Sequence, residues 1–111
     1  MPFNKIVAYI VLNEGVKMIG ILTHHWAKPN LIEQAKELLD TNGEAQKLAK
    51  GFISRQTLIS LSDKTKISSI VAWESEEVYD LWKSSSQRSK IMAQSGSFWA
   101  KPPVSERFRI E

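Results

Sequence analysis

The spacing of hydrophobic positions changes several times along the chain, which predicts alternating strands and helices. Two apolar runs, residues 6–12 and 18–26, are separated by the turn-like stretch Asn13-Glu14-Gly15 and predict two strands, with a hairpin as one arrangement. After a break at Lys28-Pro29-Asn30, apolar residues recur at helical spacing from Leu31 onward. The N-terminal part of the chain therefore predicts strands followed by a helix.

The first predicted helix has signals at both ends. Asn30 is a favoured N-cap residue, and Glu33 lies three positions later, as in a capping box. Asn42-Gly43 interrupts or ends the helix, and Gly51 ends a further short apolar run on the same face. We expect a helix that starts at residue 31 and either stops at residue 42 or continues after an interruption.

The second half predicts a hairpin, a second helix and a last strand. Residues 52–62 alternate and are rich in Ile, Thr and Phe, and residues 67–73 follow after a polar turn. Ser75 then precedes an acidic first turn, which is typical of a helix start. The remaining elements are a serine break at 84–86, a short helix around 91–92, a stiff linker at 101–103 and a strand at 104–110.

The predicted order of strand, helix, two strands, helix and strand is that of a ferredoxin-like α+β fold. Its helices cover one face of an antiparallel sheet. A chain this short leaves the other face uncovered, and a second copy would close a dimeric α/β barrel around it. We assign residues 1–17 to an N-terminal strand or extension and residues 18–111 to the domain.

Composition narrows the functional classes. The absence of cysteine among the 111 residues excludes disulfides, thiolate metal sites and a thiol nucleophile, and fits a cytoplasmic protein. The 15 Lys and Arg residues are scattered among 12 acidic ones, so we expect no nucleic-acid partner. The longest apolar run is far shorter than a membrane span, and we expect no membrane association.

One segment resembles a known family. The stretch Ala72-Trp73-Glu74-Ser75-Glu76-Glu77-Val78-Tyr79-Asp80-Leu81-Trp82 is similar to that of the antibiotic biosynthesis monooxygenases, in which a strand ends in Trp-Glu-Ser and an aromatic helix follows. Lys50-Gly51-Phe52 resembles the family's Pro-Gly-Phe, with Lys50 in place of Pro. The resemblance covers residues 18–110. It implies a dimeric α/β barrel that oxidises quinols or anthrones with molecular oxygen and no cofactor.

The resemblance also implies site residues. A Trp matching Trp73 and an aromatic matching Tyr79 line the family's pocket, together with a polar residue four positions before the Trp. That residue is Asn in the anthrone-oxidising branch and Ser69 here. A haem-degrading branch has a Trp matching Trp82 and a His downstream of it. This chain has no His after His25, so we expect no haem degradation.

His24 and His25 are the only imidazoles in the chain. Neighbouring strand residues point to opposite faces, so the two cannot ligate one metal ion, and we predict no metal site. His25 shares a face with Thr23, which suits a pocket with a few polar groups, and its ordinary pKa suits a general base. His24 is kept as the alternative base.

We therefore predict a homodimeric, cofactor-independent monooxygenase acting on a small apolar or aromatic, quinol-type molecule. The predicted catalytic residues are His25, or His24, and Trp73; the predicted substrate-binding residues are Thr23, Ser69, Tyr79 and Trp82. One alternative is a non-catalytic small-molecule-binding or stress-related protein of the same fold. Another is an enzyme with different chemistry, such as aldehyde or lactone isomerisation.

Overall fold

A computed structural model describes residues 17–111, and the predicted strand at residues 6–12 lies outside them. The described chain forms one sheet with helices packed on it. In order, its elements are β1 (Ile19–Ala27), α1 (Ile32–Gln46), β2 (Phe52–Ile59), β3 (Lys66–Trp73), α2 (Glu76–Lys83), α3 (Ser86–Met92), a 3₁₀ turn (Ala93–Ser95) and β4 (Trp99–Arg109).

The four strands lie in the order β2-β3-β1-β4, and every neighbouring pair is antiparallel. The central strands β1 and β3 pair along almost their whole length, from Ile19 opposite Trp73 to Trp26 opposite Lys66. This topology confirms the predicted α+β, ferredoxin-like fold. It also places β1 inside the sheet, between β3 and β4.

The alternation of β1 sorts its residues between two different environments. Ile19, Ile21 and His25 are buried on the face that carries the helices. Trp73, which is fully buried, extends this core from β3 and contacts Trp82 of α2. The helix-facing side of the sheet is therefore closed by large aromatic side chains.

The other face of the sheet has no helix on it within the described residues. Strands β2, β3 and β4 contribute large apolar side chains that keep a substantial exposed fraction, as with Ile70 at 42% and Phe108 at 45%. Register places these residues beside the even-numbered residues of β1. We call this surface the open face; its exposed apolar members are Leu58, Ile70, Val104, Phe108 and Ile110.

Two predicted element ends are wrong. Leu31, not Asn30, occupies the N-cap of α1, and it makes no side-chain capping bond. The helix also continues through Asn42-Gly43 without interruption and ends at Gln46. Gly43 is tolerated because its missing side chain lets another residue, Arg55 of β2, cross the helix there.

The predicted linker at residues 101–103 is also wrong, since Pro102-Pro103 lies within β4. β4 is an edge strand, where a proline without an N–H removes no essential ladder bond. The pairing of β1 with β4 shifts register at this point, so that His25 lies opposite the two prolines.

The predicted start of α2 is confirmed. The Ser75 hydroxyl caps the helix and accepts the Val78 N–H at 3.2 Å.

Across residues 17–111, no helix combines the length and the apolar character that crossing a bilayer requires.

Candidate functional site

A cavity of about 250 Å³ lies between the sheet and the helices. Its floor is formed by the helix-facing residues of the central strands, and its walls come from α1, α2 and α3. The cavity is somewhat smaller than the roughly 300–1,000 Å³ typical of small-molecule sites. It therefore suits a ligand of one or two rings.

His25 lies on the cavity floor and is buried, with 9% of its surface exposed. Its ring packs against Trp99, with 5.0 Å between centroids, and its buried Nδ1 has no hydrogen-bond partner among the described residues. Burial is the main cause that lowers the pKa of His25 to about 4, and the charges of Arg55 and Arg88 lower it further. The imidazole is therefore neutral near pH 7.

Trp73 is the centre of an aromatic wall. Its ring stacks on Trp82 with 6.4 Å between centroids and meets Tyr79 at 5.8 Å and the edge of Phe52 at the same distance. These contacts hold the indole in one orientation. Its Nε1 is buried and has no partner among the described residues, so it remains a hydrogen-bond donor for a bound molecule.

Tyr79 keeps its phenolic proton at neutral pH. Burial raises the pKa of Tyr79, which opposes the nearby charges of Arg88 and Arg107. The Arg107 guanidinium lies 4.9 Å from the ring centroid. Arg107 itself binds the carboxylates of Glu76 and Asp80 at 3.2 and 2.8 Å. Tyr79 can therefore offer the cavity a neutral hydroxyl.

Arg55 enters the cavity from β2 and lies across α1. Its Nη1 donates to Gln46 Oε1 at 2.8 Å, and its Nη2 donates to the Leu39 carbonyl at 3.4 Å. Its Nε and Cδ would lie only 2.6 and 2.8 Å from a side-chain carbon added at Gly43. Burial lowers the pKa of Arg55, although a guanidinium in a protein keeps its charge at neutral pH.

The residues that line the cavity carry an excess of positive charge. Arg55, Arg88 and Lys83 all border it, whereas no Asp or Glu does so among the described residues. Asn42 adds a buried Oδ1 that has no hydrogen-bond partner in the described chain. A buried polar atom without a partner is costly, so these groups favour a polar ligand at this place.

Six of the seven residues predicted from the sequence border this cavity: Thr23, His25, Ser69, Trp73, Tyr79 and Trp82. His24 does not. It lies on the open face, where its Nδ1 and the Ser68 hydroxyl are 2.5 Å apart. Strand alternation turns it away from the helices, and we do not retain it as a candidate for chemistry in the cavity.

Sequence reasoning missed the polar residues that α1 and β2 bring to the site. The sequence pattern predicts that Asn42-Gly43 interrupts or ends a helix, and no motif singles out Arg55. A signal was present, because Arg55 is a charge within an alternating strand and Asn42 continues the apolar stripe of α1. Neither pattern predicts that the side chains of Asn42 and Arg55 border the same cavity.

Two other surface depressions are larger, and neither has the same features. One, of about 480 Å³ at the start of α2, is bordered by Lys17, Glu76 and Arg107. Arg107 is paired there with Glu76, so its charge is already neutralised. The other, of about 460 Å³ near Asn30 and Ile59, contains none of the buried unpartnered atoms. The 250 Å³ cavity remains the candidate site.

No cluster of three His, Asp or Glu side chains within residues 17–111 is arranged to hold a metal ion. The charged residues that border the cavity are basic, and they suit an anionic ligand better than a cation.

Comparison with known proteins gives the fold independent support. No protein-family model matches the chain, and no curated protein matches it in sequence. Among solved structures, a proposed antibiotic biosynthesis monooxygenase from Nitrosomonas europaea superposes with a TM-score of 0.80 at 16% identity, covering 88% of this chain and 94% of that one. Another from Caulobacter crescentus gives 0.79 at 16% identity, covering 94% and 98%.

A third structure, described as an antibiotic biosynthesis monooxygenase, gives a TM-score of 0.76 at 10% identity and covers 84% of this chain and 98% of that one. The chain therefore has the fold of these proteins over nearly its whole described length. At such identities the likeness shows the fold alone.

Proposed function

We propose that the protein is a cofactor-independent monooxygenase that oxidises a small, electron-rich aromatic molecule with molecular oxygen. The observation that carries the proposal is the cavity, in which Trp73 Nε1 and His25 Nδ1 are buried without a partner from residues 17–111 and Arg55 supplies a positive charge. The fold shared with proteins described as antibiotic biosynthesis monooxygenases supports the same reaction class.

The proposed chemistry needs a substrate that supplies its own electrons. For an anthrone-type carbon the balanced reaction is CH₂ + O₂ → C=O + H₂O. The anion of the substrate transfers electrons to oxygen, a C–O bond forms, and the O–O bond breaks. One oxygen atom stays on carbon as the ketone, and the other leaves as water with the two protons that the carbon loses.

The side chains of the cavity suit this sequence of events. Arg55 stabilises the negative charge of the substrate. Neutral His25 is placed to accept the remaining proton of the reacting carbon as the O–O bond breaks and to pass it to the departing oxygen. Trp73 Nε1 then donates a hydrogen bond to the oxygen that becomes negatively charged. Tyr79 and Trp82 enclose the ring and keep water from the reactive intermediate. Ser69 and Thr23 supply the remaining polar contacts on the floor.

We further propose that the protein acts as a homodimer. Strands β2, β3 and β4 place exposed apolar residues on the open face, and a second copy would offer the same apolar surface to it. The two cavities lie on the opposite sides of the sheets, so each subunit would keep its own site.

The test is oxygen uptake with a panel of anthrones and menadiol-like quinols after exhaustive chelation. We expect consumption by the wild type, and a loss of about 10- to 100-fold in Trp73→Phe, because the variant loses one hydrogen bond to a charged oxygen. Trp26→Phe is the matched control, since Trp26 lies on the open face, and it should keep the rate.

Loss of activity on chelation would refute a cofactor-free reaction. No oxygen uptake with any member of the panel would leave the non-catalytic binding protein as the better assignment.

A further inference from the structure

We infer that the ligand enters the cavity already carrying a negatively charged oxygen, as the anion of an acidic enol on a planar ring does, and that Arg55 is its anchor. The inference rests on the proposed function for the site and names the substrate class. Nothing in the fold alone requires it, because it follows from how this chain arranges Arg55 and its neighbours.

The hydrogen-bond partners of Arg55 are neutral. Gln46 Oε1 and the Leu39 carbonyl use two of its five N–H groups, and no carboxylate lies within salt-bridge distance among the described residues. Asp40 raises the pKa of Arg55 from beyond salt-bridge distance and pairs instead with Lys36 at 3.1 Å. A partly buried guanidinium normally faces a carboxylate or another anion directly. The neutral partners hold the side chain in place and leave its charge to interact with whatever occupies the cavity.

The surroundings of Arg55 favour the same kind of ligand. Arg88 and Lys83 add positive charge to the border, and no acidic side chain of the described chain opposes them there. Trp73 Nε1 is a donor that meets no acceptor in the described part of the chain, and neutral His25 can present an N–H or accept a proton. A flat oxyanion would satisfy several of these groups at once, whereas a neutral hydrocarbon would satisfy none.

His25 is a weak base, which argues against a substrate that must be ionised from an ordinary phenol. Its pKa is about 4, and an ordinary phenol has a pKa near 10. Without help, proton transfer between them is unfavourable by a factor of about 10⁶. An acidic enol removes this obstacle because it is ionised in solution before it binds.

Isothermal titration calorimetry with two stable naphthoquinones tests the inference on the full chain. The 2-hydroxy-1,4-naphthoquinone is an anion at pH 7, and its 2-methoxy analogue is neutral and has nearly the same shape. We expect the wild type to bind the anion at least about 10-fold more tightly, since hydrogen bonds to a charged group favour it by that order. Equal affinities, or no binding of either compound, would overturn the inference.

Variants then test the role of Arg55. Arg55→Gln should remove the preference for the anion and leave the affinity for the methoxy compound nearly unchanged. Arg55→Lys, which keeps a positive charge, should retain part of the preference for the anion. Arg109→Gln is the control, because Arg109 is exposed and pairs with Glu111 away from the cavity. A preference kept by folded Arg55→Gln would assign the anchor elsewhere. If that variant does not fold, the comparison on the wild type decides alone.

These outcomes separate the inference from the proposed function. Preference for the anion without oxygen uptake by any substrate would support the inference and contradict the monooxygenase. Oxygen uptake with neutral quinols and no preference for the anion would support the monooxygenase and contradict the inference.

Discussion

At the scale of single residues, His25 shows how one buried side chain links chemistry to stability. It lies on the cavity floor beside Trp99, and the charged groups that face it are Arg55 from β2 and Arg88 from α3. Burial disfavours its protonated form in the folded chain, whereas the unfolded chain protonates it near its ordinary pKa of 6.5. Protons therefore bind more strongly to the unfolded state.

This difference predicts an acid-dependent loss of stability. The contribution of neutral His25 to the free energy of unfolding is fully present above about pH 6.5. It is lost as the pH falls toward 4, because only the unfolded chain gains a proton in that range. The free energy of unfolding should fall by up to about 3 kcal/mol from this cause. His25→Gln should flatten the profile measured by urea unfolding at a series of pH values.

His24→Gln is the matched control, because it removes the neighbouring imidazole from the opposite face of the same strand. We expect this variant to show the same acid-dependent fall in the free energy of unfolding as the wild type. An identical slope in His25→Gln and the wild type would contradict the assignment.

Among the elements, α1 contributes polar side chains to the cavity as well as packing on the sheet. An uninterrupted helix brings Asn42 and Gln46 to the cavity on successive turns, and Gly43 between them leaves room for Arg55. Glycine inside a helix costs about 1 kcal/mol relative to alanine. The close approach of Arg55 explains why α1 has a glycine at this position.

The variant Gly43→Ala should therefore separate binding from folding. Its added carbon would lie 2.6 Å from Arg55 Nε, so the guanidinium must move away from Gln46. We expect the preference for the anionic naphthoquinone to fall about 10-fold or more, comparable to the loss of one charged hydrogen bond. The midpoint of urea unfolding should change little, because the gain in helix propensity opposes the strain.

Thr41→Ala, at an exposed position of the same helix, is the control and should leave binding unchanged. Unaltered binding by folded Gly43→Ala would show that the position of Arg55 does not depend on this contact.

In the molecule as a whole, the two faces of the sheet differ in what covers them. The helix-facing side encloses the cavity, and the open face presents apolar side chains without a covering layer in the described chain. The few polar groups there are held locally, as in the contact between His24 and Ser68. Such a surface is typical of an interface between copies.

We expect a dimer of about twice the 12.6 kDa chain mass by light scattering at micromolar concentration. Ile70→Glu should shift the protein to monomer, because it places a charge at the centre of the open face. Leu81→Glu is the matched control, since Leu81 is 59% exposed on α2, and it should stay dimeric. A monomeric wild type would contradict the barrel.

Local sequence patterns were enough to predict the order of the strands and helices within residues 17–111 and the face of the sheet to which each residue of β1 points. Local patterns were sufficient for both: alternation separates His25 and Thr23 from His24, and a serine before an acidic turn marks the start of α2. The same patterns misplaced the ends of α1 and β4, since a glycine or a proline is a breaker only when no neighbouring segment accommodates it.

The charge and the hydrogen-bonding groups of the cavity depend on tertiary contacts and could not be predicted from local patterns. Arg55 is one arginine among several in the sequence. Its chemistry depends on lying across α1 with neutral hydrogen-bond partners and with no carboxylate of the described chain within salt-bridge distance. The lowered pKa of His25 has the same origin, because burial and the charges of β2 and α3 are properties of neighbours distant in sequence. Sequence pattern fixes the direction of a side chain, and packing alone fixes what it meets.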